Sequence, residues 1–140
     1  MASGTRGSSQ KTLSSGAPVE YRIVRNVLAR QVRLGKLSRD DVCDAHPELI
    51  RAGTHIGKPT GLSCPVCEAE ETKSVNYVFG DKLPAGGTCP TTKTELNRLL
   101  RREAPVLCYE VEVCLACKFH HLMRKYPAGG VKVRKRKATS

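Results

Sequence analysis

Two pairs of cysteines, Cys64-Pro65-Val66-Cys67 and Cys114-Leu115-Ala116-Cys117, are the residues of this sequence whose types and spacing can do chemistry. A C-x-x-C turn puts two sulfurs on one side of a tight loop, and two such loops offer four thiolates tetrahedrally to zinc at about 2.3 Å. The pattern predicts one zinc ion held by Cys64, Cys67, Cys114 and Cys117. Four thiolates leave no open position for water or substrate, so the metal is structural and not catalytic. The 46 residues between the knuckles exceed the ~15–20 of the compact spacing, an excess that an inserted loop and helix accommodate. The competing readings are thiols that merely fill a core and a thiol redox pair. Two knuckles without a βαβ setting count against the redox protein.

Three cysteines remain. Cys108 is read on the side of its strand opposite the apolar face, and Cys89 in a Pro/Gly loop, neither with a second ligand at useful spacing. Cys43 stands three residues before His46, a pair that needs another pair to hold a metal. All three are assigned to packing or surface chemistry. His120 and His121 follow the second knuckle, but adjacent strand residues point to opposite faces, and four cysteines already close the site.

The elements that must position the knuckles follow from periodicity. Residues 1–17 contain almost no large apolar side chains and read as a disordered basic arm. From Pro18 to Leu34, Ile23, Val24, Val27, Leu28 and Val32 recur at helical steps with Arg22, Arg25, Arg30 and Arg33 between them, predicting an amphipathic helix stopped by Gly35. Ser38 caps a next short helix, His46-Pro47 opens another ending near Gly53, and Gly57, Pro59 and Gly61 mark a linker.

Downstream the period changes to two. Val75, Tyr77 and Phe79 form one alternating run, Leu107, Tyr109, Val111 and Val113 a second, and a third strand is expected from Lys118 to Tyr126. Thr92-Lys93-Thr94-Glu95 has capping-box spacing before Leu96, Leu99 and Leu100, predicting a short inserted helix. The fold class read from this order is α+β: N-terminal helices followed by a three-stranded antiparallel zinc ribbon with an inserted short helix. The organisation is an arm at 1–17, a helical segment at 18–57, a ribbon-like domain at 58–127 and a disordered basic tail at 128–140.

The net charge of +11 is uneven. Residues 1–36 carry +6, residues 37–117 carry −3 and residues 118–140 carry +8. Basic ends favour an anionic partner, through phosphate contacts that release counterions. The candidate contacts are Arg22, Arg25, Arg30 and Arg33 on the first helix, Lys118, Arg124 and Lys125 near the third strand, and Lys132, Arg134, Lys135, Arg136 and Lys137 in the tail. With no Trp and only six aromatic residues, stacking platforms for single strands are few.

No phosphate-cradling Gly-rich loop, nucleophile elbow or metalloprotease helix is present, so an enzyme is not expected. No run approaches the ~20 apolar residues of a membrane span, and the N-terminus lacks a secretory core, which predicts a cytoplasmic protein without a membrane partner. The functional expectation is a non-catalytic zinc-ribbon protein, an accessory or regulatory factor contacting nucleic acid or a nucleoprotein machine such as RNA polymerase or the ribosome. The alternative is a protein–protein adaptor that does not bind nucleic acid directly.

Val42-Cys43-Asp44-Ala45, Pro47-Glu48-Leu49, Gly57-Lys58-Pro59-Thr60, the first knuckle, Tyr77-Val78-Phe79-Gly80-Asp81 and Val111-Glu112-Val113 leading into the second knuckle and His120-His121-Leu122 carry a resemblance. Over roughly residues 22–126 the chain resembles a family of small actinobacterial proteins classified as a domain of unknown function. The resemblance implies a bacterial cytosolic setting and the paired knuckles as the metal site, and supplies no substrate or catalytic residue. The basic tails fall outside it.

Overall fold

The computed structural model describes residues 17–130 of the 140. Strand β1 (Val19–Glu20) leads into helix α1 (Arg22–Arg33), followed by α2 (Arg39–Val42), α3 (Pro47–Ile56), β2 (Lys58–Ser63), β3 (Glu71–Gly80), α4 (Lys93–Leu100), β4 (Val106–Val113) and β5 (His120–Ala128). The strands form one antiparallel sheet in the order β1-β5-β4-β3-β2.

This is a mixed α/β fold, and it corrects the expected three-stranded ribbon. The three strands read from alternation are present as β3, β4 and β5, but two edge strands flank them, and β1 enters the sheet before any helix. Of the supposed linker, Gly57 caps α3, and Pro59 and Gly61 lie in edge strand β2, antiparallel to β3, with an irregularity between Pro59 and Ser63. Proline and glycine are at home on an edge, where one row of backbone donors needs no partner. Pro18 lies ahead of β1 and so does not open α1.

Local signals at the helix ends agree with the chemistry of the caps. Gly35 adopts φ +79 just past α1, the left-handed stop that suits glycine. The Ser38 hydroxyl accepts from the Asp40 N–H at 3.1 Å, and His46 Nδ1 accepts from the Glu48 N–H at 3.0 Å at the start of α3. Helix α3 continues past Gly53 to Ile56. Before α4, the Thr92 hydroxyl accepts from the Glu95 N–H at 3.0 Å, and the Glu95 carboxylate reaches back to the Thr91 N–H at 3.0 Å, which lowers its pKa.

The described residues divide into two compact units. One comprises Glu20–Asn76 and Tyr109–Arg124, and its core gathers Val32, Val42, Phe119, Cys64 and Cys114, with Leu28, Leu37 and Val66 packed against them. The other includes Tyr77–Cys108 and residues 125–130. Its core is Val78, Val106 and Cys108, covered by Leu83, Leu96, Leu99, Leu100 and Tyr126. Gly87, at φ +87, lies flat against Phe79, where a Cβ would come within 2.8 Å of the ring.

Two faces depart from the periodicity reading. On β4, Cys108 and Glu112 of the set expected to face outward are buried along with Val106, while Val113 of the inward set is buried as expected. On α1 the buried residues are Arg25, Ala29 and Val32, while Ile23, Val24 and Val27 are exposed. One contact explains both. The Arg25 guanidinium donates to both carboxylate oxygens of Glu112, Nε at 2.7 Å and Nη2 at 2.6 Å, and the Thr72 hydroxyl donates to the same carboxylate at 2.6 Å. Glu112 and Thr72 are fully buried and Arg25 is 6 % exposed. A buried charge must be paired, so this bidentate contact fixes the facing of both elements.

Removing one partner strands the other. Arg25→Ala should lower unfolding free energy by about 3–5 kcal/mol, and an Arg25→Met/Glu112→Leu double variant should lose clearly less. Denaturant unfolding of the three proteins checks this; equal losses would show that the pair is not coupled.

Candidate metal centre

Each knuckle begins where a strand ends, Cys64 directly after β2 and Cys114 directly after β4. The two loops are built alike. The Glu68 N–H donates to the Cys64 carbonyl at 3.0 Å, and the Lys118 N–H to the Cys114 carbonyl at 2.9 Å. Glu68 and Lys118, each immediately after the second cysteine of its loop, adopt left-handed φ values of 58 and 71. The Cys64 N–H closes its loop on the Glu70 carbonyl and the Cys114 N–H on the Phe119 carbonyl, both at 2.8 Å. Helix α3 seats against the second knuckle through Gly53, where a Cβ would lie 2.9 Å from Val113 Cγ1 and 3.2 Å from Leu115 Cδ2.

Backbone donors point at the sulfurs. The Val66 and Cys67 N–H groups donate to Cys64 Sγ at 3.4 Å, Ala69 N–H to Cys67 Sγ at 3.4 Å and Cys117 N–H to Cys114 Sγ at 3.5 Å. The Ala116 N–H also serves Cys114, and the Phe119 N–H serves Cys117. Such donors orient metal-binding thiolates and offset their negative charge.

The four Sγ atoms lie within 4.8 Å of one another. Cys64 to Cys117 and Cys67 to Cys114 are each 3.7 Å apart. A tetrahedron with ~2.3 Å zinc–sulfur bonds has edges of about 3.8 Å, so the donor set fits a zinc ion in size as well as in chemistry. All seven cysteines are free thiols. Burial pushes the Cys114 and Cys117 thiols up, and for Cys117 the nearby thiols of Cys43 and Cys64 add to it. Burial also acts upward on Cys67, but the Ala69 N–H and the neighbouring cysteines outweigh it and bring that thiol below its ordinary value.

Of the remaining cysteines and histidines, Cys108 packs as expected but on the other face of its strand, and Cys43 stands against the four-cysteine set. Cys108 is fully buried in a core, on the inward face of β4. Burial raises the Cys89 thiol, opposed by a contact with Tyr77. Cys43 reaches the cluster: its Sγ is 3.6 Å from that of Cys117. No sequence signal marks this pair, whose members are 74 residues apart, and His46, the neighbour that suggested a metal pair, is spent on capping α3. His120 Nε2 sits 2.9 Å from Asp44 Oδ1, and His121 Nδ1 lies 2.7 Å from the Leu122 carbonyl oxygen.

The basic residues scatter. Arg22 and Arg30 are exposed, and Arg33 is exposed while donating to the Pro65 carbonyl at 2.8 Å. Arg25 is withdrawn into the pair with Glu112 and does not face solvent. Lys118 stands exposed in the knuckle turn ahead of β5, Arg124 lies 3.9 Å from Glu20 and 3.8 Å from Glu110, and Lys125 is half-buried. Lys132, Arg134, Lys135, Arg136 and Lys137 lie outside the described residues, as does the arm up to residue 16. The described residues extend beyond 127, and the Gly130 N–H donates to the Arg102 carbonyl at 2.8 Å. Among the described residues no helix is long and apolar enough to cross a membrane.

Residues 14–140 match the model of DUF5318, a family of unknown function. The chain belongs to this family. It is 35 % identical over 114 residues to the uncharacterised proteins Mb0050 of Mycobacterium bovis and Rv0049 of Mycobacterium tuberculosis, covering 81 % of this chain and 83 % of each relative. No solved structure matches. The resemblance to small actinobacterial proteins therefore holds, and the match reaches into both basic ends, beyond the 22–126 expected.

The left-handed turn after each knuckle gives a direct check of its geometry. Lys118→Gly should leave stability unchanged or slightly raised, and Lys118→Val should cost about 1–2 kcal/mol, because a β-branched residue resists positive φ. Thermal unfolding of the two variants measures the difference; indistinguishable values would refute the turn conformation.

Proposed function

We propose that this protein is a non-catalytic factor clasped by one structural zinc ion on Cys64, Cys67, Cys114 and Cys117. In this reading it contacts nucleic acid or a nucleoprotein machine, RNA polymerase or the ribosome, through its basic ends. The closed four-thiolate geometry carries the first half of the reading: a site saturated by protein sulfur stabilises a fold and offers no position to a substrate. When bound, zinc would supply that stabilisation alone. The charge layout supports the second half, with +8 concentrated in residues 118–140.

A specific observation favours a second reading, a protein–protein adaptor. Helix α1 exposes Ile23 at 79 %, Val24 at 55 % and Val27 at 53 %, with Leu34 at 57 % just beyond its end. Contiguous exposed apolar groups of this kind are a feature of docking surfaces.

Elemental analysis should find one zinc per chain, a chelator should lower the melting temperature, and Cys64→Ser or Cys117→Ser should abolish cooperative unfolding. Zinc content unchanged by both substitutions would overturn the metal assignment. Binding of the full chain to a nucleic-acid duplex should weaken steeply with salt between about 0.05 and 0.2 M. No binding at about 0.1 M salt, with capture of RNA polymerase or ribosomes persisting after nuclease, would replace the nucleic-acid reading by the adaptor.

A further inference from the structure

Five thiols, not four, meet at the knuckles. Cys43 Sγ is 3.6 Å from Cys117 Sγ, closer than either 3.7 Å contact within the four-cysteine set. Cys43 is held there by bonds on both sides. Before it, its own N–H donates to the Arg39 carbonyl at 2.7 Å at the end of α2, whose Val42 is buried in the same core as Cys64 and Cys114. After it, the Ala45 N–H donates to the Lys118 carbonyl at 3.1 Å, and Asp44 meets His120 at 2.9 Å. The Arg39 guanidinium lies near the Cys43 and Cys117 thiols, which raise its pKa. Cys43 and Cys117 are both partly exposed, whereas Cys64 and Cys114 are buried.

We propose that Cys43 and Cys117 form a peroxide-sensitive pair, whose disulfide removes one ligand from the metal site and releases the zinc. The proposal rests on the zinc reading above. Zinc holds its four sulfurs about 3.8 Å apart and occupies a lone pair on each, while Cys43 stands outside that set with its sulfur unligated. Hydrogen peroxide oxidises the Cys43 thiol to the sulfenic acid, one peroxide oxygen passing to sulfur and the other leaving as water. The Cys117 sulfur then quits the metal and attacks Cys43 Sγ. The new S–S bond forms as the S–O bond breaks, and the departing hydroxide takes a proton from solvent to give a second water. Two sulfurs have supplied the two electrons that reduce the peroxide. Closing 3.6 Å to the ~2.05 Å of a disulfide is a movement of about 1.5 Å shared between two side chains. Cys64, Cys67 and Cys114 are left as a three-sulfur site.

The test uses the full-length zinc-loaded chain, hydrogen peroxide as oxidant and a chromogenic zinc chelator as reporter. Wild type should release zinc, peptide mapping should recover a Cys43–Cys117 crosslink, and dithiothreitol should restore one zinc per chain. Cys43→Ser and, independently, Cys43→Ala should bind one zinc, melt like wild type, and release the metal on oxidation at least about tenfold more slowly, because the sulfurs left at the knuckles are all ligated. Release at the wild-type rate from both variants, or crosslinks confined to the four knuckle cysteines, would overturn the proposal. Loss of zinc binding in both variants would overturn it too, by making Cys43 a ligand. If wild type carries no zinc, the structural-zinc reading fails, and the crosslink formed in the metal-free chain still decides whether Cys43 and Cys117 are the reactive pair.

Discussion

A fully buried carboxylate at Glu112 constrains the unit that carries the cysteines more than any other single group. Left alone it would be neutralised or exposed, since burying an unpaired charge costs several kcal/mol. It is met instead by both arms of the Arg25 guanidinium and by the Thr72 hydroxyl, from a helix and a neighbouring strand. That contact sets the rotation of α1. With Arg25 turned inward, Ala29 and Val32 follow it one and two turns on, and Leu28 and Val32 reach the core that contains Cys64 and Cys114. The ion pair and the core around the cysteine cluster thus share one helix.

The knuckles obey a different logic, which is local. Each needs two sulfurs, a carbonyl that accepts from four residues on, and a residue willing to adopt positive φ, and each loop has all three within six positions. Neither loop uses glycine at the left-handed position, where Glu68 and Lys118 bear a modest conformational cost. The two loops then need only to be brought together, which their places after β2 and β4 in one sheet accomplish.

This difference explains which features were legible in the sequence. The four clustered cysteines were readable because a knuckle's chemistry is contained in four consecutive residues, and Ser38, Gly35 and Thr92 were readable because caps are equally local. The α1 and β4 faces were partly misread for one reason: periodicity assumes that apolar side chains point inward, and a paired Arg and Glu separated by 87 residues break that rule on both elements, although Val32 and Val113 obey it. Strand β2 was hidden because Pro59 and Gly61 look like a linker unless the strand is known to be at an edge. On β3 the buried residues Thr72, Val75 and Val78 do not share one alternation, so the Val75, Tyr77 and Phe79 run that revealed the strand did not show that both of its faces carry buried groups. Cys43 was beyond reach, because its contact with Cys117 depends on where α2 is delivered.

Turning Arg25 inward has an outward consequence. Ile23, Val24 and Val27 face solvent on a helix with no acidic residue, beside the exposed Arg22, Arg30 and Arg33. Such a surface is half cationic and half apolar. A bare phosphate backbone would satisfy the arginines and leave the valines and isoleucine wet, so it would use only half of what is exposed. A protein surface with an acidic rim would use both halves, the apolar area for affinity and the charges for orientation. Under the proposed function, an assembly of protein and nucleic acid would take α1 on its protein component and the basic ends on its phosphates, and would leave less of this exposed surface unused than a bare duplex.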